Sequence, residues 1–188
     1  MKLKTLLLRT LLFTFSISIA GSSTFTHVSP ISHCVIAGTI IYTPAGPKKI
    51  EDIAKQEMIW TLNERTNRLD QSKVLGIQKN DKQSVYEVKF EKQTVTVTAD
   101  HPFYGGGSFY SIQSNQLYGV PTQTLKVGQK IRCIENNRWI DQRVVSIKKV
   151  KKKMDTYAIS KVETNRIYFT NSAASLVETI PSTFALNR

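Results

Sequence analysis

Cysteine is nearly absent from this chain of 188 residues, occurring only at Cys34 and Cys133. At most one disulfide can form, and in an exported protein that bridge would be the default. Apolar runs long enough to span a bilayer are missing as well. Thr10 to Ile19 supplies about ten apolar residues, too few to cross a hydrocarbon core of ~30 Å. Helical periodicity is thin: only Lys49 to Lys55 could make one or two turns. Acids number 14 against 26 lysines and arginines. The composition, 40% hydrophobic and 21% charged, excludes a disordered chain, and the length suits one compact domain.

The short apolar run fits a different purpose. Met1 to Arg9 carries Lys2, Lys4 and Arg9 with no acid, and Ser18-Ile19-Ala20 ends the run with small residues. Basic, then apolar, then small is the pattern of a secretory signal peptide, predicted here over 1–20, so the protein is expected to be secreted or periplasmic. Gly21 to Ser32 is rich in Ser and Thr without periodicity, which predicts a flexible leader over 21–33. Removal of the three basic residues lowers the net charge from +12 to +9 (12 − 3). The densest basic run, Lys148-Lys149-Val150-Lys151-Lys152-Lys153, lacks interleaved aromatics and any nucleic-acid motif. It reads as a solvated strand edge or turn guarded by lysines, and no specific nucleic acid is expected as a partner.

From Cys34 onward the pattern is β. Val35 to Tyr42 is rich in β-branched residues, Gln93 to Thr98 alternates with period two, and Tyr104 to Ser108 reads as a turn or loop. The chain also repeats itself. Asp70-Gln71 and Val85-Tyr86 return as Asp141-Gln142 and Thr156-Tyr157, each 71 residues later (141 − 70, 156 − 85). Ile53 to Ile59 echoes Leu125 to Ile131, and Thr98 lands on Thr170, both 72 residues on (125 − 53, 170 − 98). The shared order predicts an all-β, pseudo-two-fold fold built from two related halves. The halves differ chemically, since the position of His101 is taken by Ala173 in the second.

Three segments carry the chemistry: Cys34 where the leader meets the β pattern, Thr98-Ala99-Asp100-His101-Pro102-Phe103 closing an alternating run, and Ile167 to Asn171 near the end. Cys34 to Tyr42, followed by Gly46 and Ile50-Glu51-Asp52-Ile53, resembles the opening block of inteins and hedgehog autoprocessing domains, the Hint family. Thr98 to Phe103 resembles their Thr-x-x-His block, and Leu125-Lys126-Val127-Gly128-Gln129 their Leu-x-x-Gly-Asp turn. Thr156 to Ser160, with Tyr168-Phe169, resembles the last strands. The resemblance covers residues 34–178, leaves 179–188 as a tail, and implies a Hint-type fold.

It also implies a reaction. A thiol just after a peptide bond can attack that bond's carbonyl through a five-membered ring, with proximity supplied by the chain itself. Cys34 would take the acyl group of His33 from nitrogen to sulfur, forming a thioester that water or a small nucleophile resolves. By the resemblance, His101 protonates the departing amine and Thr98 hydrogen-bonds the scissile amide. The leader is then the substrate. No cofactor and no metal is required, and a monomer is expected. Asp100 reads as a turn former, Cys133 as a packed thiol, and His27 and His33 have no assigned role. A Cys34–Cys133 disulfide would cap the nucleophile, so bridge and activity compete.

Departures from the family narrow the reaction. No His-Asn pair closes the domain, and Asn171 stands upstream of the position cyclisation needs, so full splicing is not expected. There is no room between Tyr110 and Asp155 for a homing endonuclease. Ala174-Ser175 resembles a pair in the hedgehog ending, but Lys79 falls where hedgehog proteins use an aspartate to activate a sterol, with Asp81 two residues on. Sterol is therefore not an expected partner. Gln56-Glu57 replaces the Gly-Asp turn of the first half. Two rival readings stand beside self-cleavage: a degenerate scaffold that only binds, and a Cys/His peptidase acting in trans.

Overall fold

The computed structural model describes residues 33–114, 116–117, 120–136 and 138–177. The expected signal peptide, the leader as far as Ser32, Glu178 and the tail lie outside the described residues. Within them there is no α-helix, and the 49–55 segment makes one 3-10 turn, Ile50–Asp52.

Among the described residues, sixteen strands form one continuous ladder. The first half contributes β1 (Val35–Ile36), β2 (Ile40–Thr43), β3 (Gly46–Lys49), β4 (Met58–Asn63), β5 (Arg68–Gln83), β6 (Val85–Phe90) and β7 (Thr94–Thr98). There follow β8 (Phe103–Gly105), β9 (Ser108–Ser111), β10 (Gln116–Leu117), β11 (Val120–Thr124), β12 (Lys130–Glu135), β13 (Arg138–Lys149), β14 (Met154–Val162), β15 (Ile167–Thr170) and β16 (Ala173–Leu176). The β-branched run Val35 to Tyr42 is divided between two strands, with a break at Ala37-Gly38. There the Thr39 N–H donates to the Ile36 carbonyl (3.3 Å), and Gly38 adopts φ +82°, open to glycine without strain. Period-two alternation in β7 buries Val95 and Val97, which join Val35, Phe90, Phe103 and Tyr168 in the larger of two core clusters. The glycine-rich segment read as a turn is one, at Gly106-Gly107 between β8 and β9.

The two halves are interlocked. Hairpin β4–β5 corresponds to hairpin β12–β13, and each long strand then crosses over: β5 pairs with β14 of the second half, and β13 with β6 of the first. The registers match to within one residue, with Lys79 opposite Tyr157 in one crossing and Lys149 opposite Tyr86 in the other (157 − 86 = 71, 149 − 79 = 70). The turns before the hairpins match as well. The Gln56 N–H donates to the Val74 carbonyl at 2.7 Å, and the Gly128 N–H to the Val144 carbonyl at 2.8 Å. Both residues have positive φ, +72° for Gln56 and +87° for Gly128. A side chain in this region costs ~1–3 kcal/mol, partly offset by the entropy glycine loses on folding. Gln56 is exposed, so Gln56→Gly is expected to stabilise the protein by about 1 kcal/mol, read as a raised denaturant midpoint with an unchanged slope.

Candidate active site

Cys34 immediately precedes a two-residue strand wedged between strands from the two halves of the chain. Val35 lies opposite Val97 of β7 on one side and opposite Tyr157 of β14 on the other. Thr98, the last residue of β7, clamps Cys34 twice. Its N–H donates to the Cys34 carbonyl at 2.9 Å, and its Oγ1 accepts from the Cys34 N–H at 3.1 Å. That N–H belongs to the His33–Cys34 peptide bond, so the threonine holds the nitrogen of the bond the sequence singles out. A polarised or pyramidalised amide nitrogen gives up its acyl group more readily. One hydrogen bond of this kind is worth about 1 kcal/mol net. Thr98→Ala is therefore expected to slow release of the leader about tenfold, with Thr98→Ser close to wild type, measured by intact mass over time.

The turn after β7 is closed by the His101 N–H donating to the Thr98 carbonyl at 3.2 Å, which brings the imidazole back toward the same bond. His101 is fully buried and meets Phe103 edge-on, with ring centroids 5.1 Å apart. Burial is the main cause that lowers its pKa to about 3; the neighbouring His33 ring lowers it further, and a polar contact with the His33 backbone opposes both. Neither ring nitrogen of His101 makes a hydrogen bond of ordinary geometry in the resting protein. His33 is buried too, which lowers its pKa to about 4. The imidazole pair is thus neutral at rest. The carboxyl of Asp100 is raised by burial, against a hydrogen bond from the Thr98 side chain. The residue read as a turn former therefore stands one hydroxyl away from the His33–Cys34 amide.

Cys34 itself has no exposed surface, and its Sγ accepts a hydrogen bond from Asn80 Nδ2 at 3.1 Å. Lys79, the residue singled out by alignment, instead extends outward to Asp155 (3.8 Å), and Asp81 is exposed. Side chains alternate along a strand, so Asn80 faces the opposite side from both neighbours. Between Met154 and Thr156 the β5–β14 register slips, and no period-two pattern marks which β5 residue faces Cys34. Cys133 lies on β12, buried, and burial is the main cause that pushes its thiol up to about 12. Both cysteines are thiols. Asn171 is held structurally: its Oδ1 accepts from the Ile40 N–H (2.7 Å) and its Nδ2 donates to the Thr94 carbonyl (2.9 Å). Among the described residues no His, Cys, Asp or Glu side chains cluster as metal ligands.

No family profile and no characterised protein matches the chain in sequence. Solved structures match its fold. A DnaB intein from Synechocystis superposes with TM-score 0.65 at 19% identity, covering 78% of this chain and 99% of that one. A DnaX mini intein from Spirulina platensis gives 0.61 at 18%, covering 76% and 98%. A bacterial intein-like domain from Clostridium thermocellum gives 0.59 at 20%, covering 76% and 97%. The chain has the Hint fold of inteins, all-β and pseudo-two-fold as its internal repeat implies.

Proposed function

We propose that this chain is an exported self-processing domain that cuts its own His33–Cys34 peptide bond through a thioester and does not splice. The observation that carries this reading is the donation of the scissile N–H to Thr98 Oγ1 at 3.1 Å. Structural neighbours that are inteins or intein-like support the same reading. In the first step the Cys34 sulfur bonds to the His33 carbonyl carbon and the carbon–nitrogen bond breaks. The thiol proton ends on the Cys34 nitrogen, which becomes an amine. In the second, water or a small nucleophile takes the acyl group from sulfur.

Because His101 is neutral at rest, it cannot begin as the acid. It can serve as the acid only after taking up a proton, which the Cys34 thiol supplies as its sulfur bonds to the carbonyl carbon and which the ring then passes to the departing nitrogen. A peptidase acting in trans is the weaker reading, since Cys34 and His101 are both 0% exposed and an outside peptide cannot reach them. The leader, by contrast, is already attached.

The test is addition of hydroxylamine to purified precursor followed by mass spectrometry. The expected result is release of the piece ending at His33, as its hydroxamate, with Cys34 as the new N-terminus. Cleavage at another bond overturns the reading. Intact precursor after prolonged treatment favours the degenerate scaffold.

A further inference from the structure

The donor at the nucleophile's sulfur comes from a strand that nothing in the sequence connected with it. We propose that Asn80 is a catalytic residue, its amide N–H holding the Cys34 sulfur and stabilising the thiolate as it forms. This inference rests on the self-cleavage reading above.

The placement follows from the ladder. β14 lies between β1 and β5, and its Thr156 is opposite Ile36 on one side and Asn80 on the other. Asn80 therefore approaches the start of β1 from across β14, while Thr98 holds it from β7. The amide has a defined orientation as well. Gln78 Nε2 donates to Asn80 Oδ1 at 2.9 Å, which occupies the oxygen and leaves Nδ2, at 3.1 Å, to face the sulfur.

A donor is needed there. Cys34 is fully buried, and a thiolate in a dry site is disfavoured unless donors or cations surround it. His33 and His101 are neutral, and Asp100 follows β7. Lys79 and Asp155 are paired with each other at the surface, and Tyr157 is a phenol. An N–H directed at sulfur favours the charged form and leaves the neutral thiol nearly unaffected, so its effect is felt as the nucleophile develops charge.

The experiment uses the full precursor carrying Cys133→Ala, so that Cys34 is the only thiol. Thiolate absorbance in the ultraviolet is titrated in this parent, in Asn80→Ala and in the isosteric Asn80→Asp. Hydroxylamine-driven cleavage is timed in all three. The expected result is a Cys34 titration displaced upward by about one pH unit in Asn80→Ala and further in Asn80→Asp, with cleavage at neutral pH slowed about tenfold or more. Both substitutions fall on a half-buried strand position, and circular dichroism checks the fold. A titration that does not move in either folded variant overturns the proposal, whether or not the parent cleaves. A displaced titration with cleavage at the parental rate overturns the catalytic role. A displaced titration in a parent that never cleaves supports the contact and sinks the self-cleavage reading instead.

Discussion

Cys34→Ala is expected to abolish hydroxylamine-driven release of the leader while leaving the fold intact. The side chain removed is one sulfur atom, and alanine keeps the backbone through which Thr98 grips the residue at both ends. The clamp survives and the nucleophile does not, so loss of cleavage isolates the chemistry from the packing. Cys34→Ser is the sharper comparison. The hydroxyl is smaller, less acidic and a weaker nucleophile than the thiol, so cleavage is strongly slowed without vanishing. Time courses of intact mass separate the three proteins. Cleavage that persists at the same bond in Cys34→Ala would assign the cut to a contaminating protease.

His101→Ala is expected to slow cleavage by ~10²-fold or more, because a positioned acid–base group typically contributes ~10²–10⁴. A second readout distinguishes this from a packing defect. His33 and His101 are held neutral in the folded protein, at about 4 and about 3, below the ordinary value of 6.5. Where the folded value lies below the unfolded one, the unfolded chain binds the extra protons. Stability is then fully present above about pH 6.5 and is lost as pH falls toward 4 and then 3. Two such groups give a slope of up to about 2.7 kcal/mol per pH unit, and His101→Ala should halve it. Chemical denaturation at a series of pH values between 6 and 4 measures this. A mutant with wild-type cleavage and half the slope would make His101 a packed ring without a role in the reaction.

Much of this arrangement was legible in the residues, and the illegible parts have identifiable causes. The alternation of β7 ended at Thr98, and the threonine does end the strand beside Cys34. The 71-to-72-residue echo is visible because each half keeps the same hairpin and the same positive-φ turn, although the first half uses Gln56 where the second uses glycine. The break after Ile36 was hidden because β-branched residues continue on both sides of Gly38. Asn80 was hidden because a register slip decides which face of β5 meets Cys34, and a slip of one residue exchanges Lys79 for its neighbour. The neutrality of His101 was hidden for another reason. A His-Pro pair reads as a turn at the surface, whereas tertiary packing closes over it.

The wedge of β1 between β7 and β14 has a consequence for timing. Val35 and Tyr157, which pair across it, stand 122 residues apart in the chain (157 − 35). Until β14 has been synthesised and docked, the nucleophile lacks one wall, and Asn80 lacks the strand that brings it to the sulfur. A nascent chain carrying only the first half therefore has the thiol, the threonine and the histidine but no assembled centre. On the self-cleavage reading proposed above, the His33–Cys34 bond becomes cleavable only once the last long strand is in place. Contacts so distant in sequence form late and slowly, so the fold acts as its own delay.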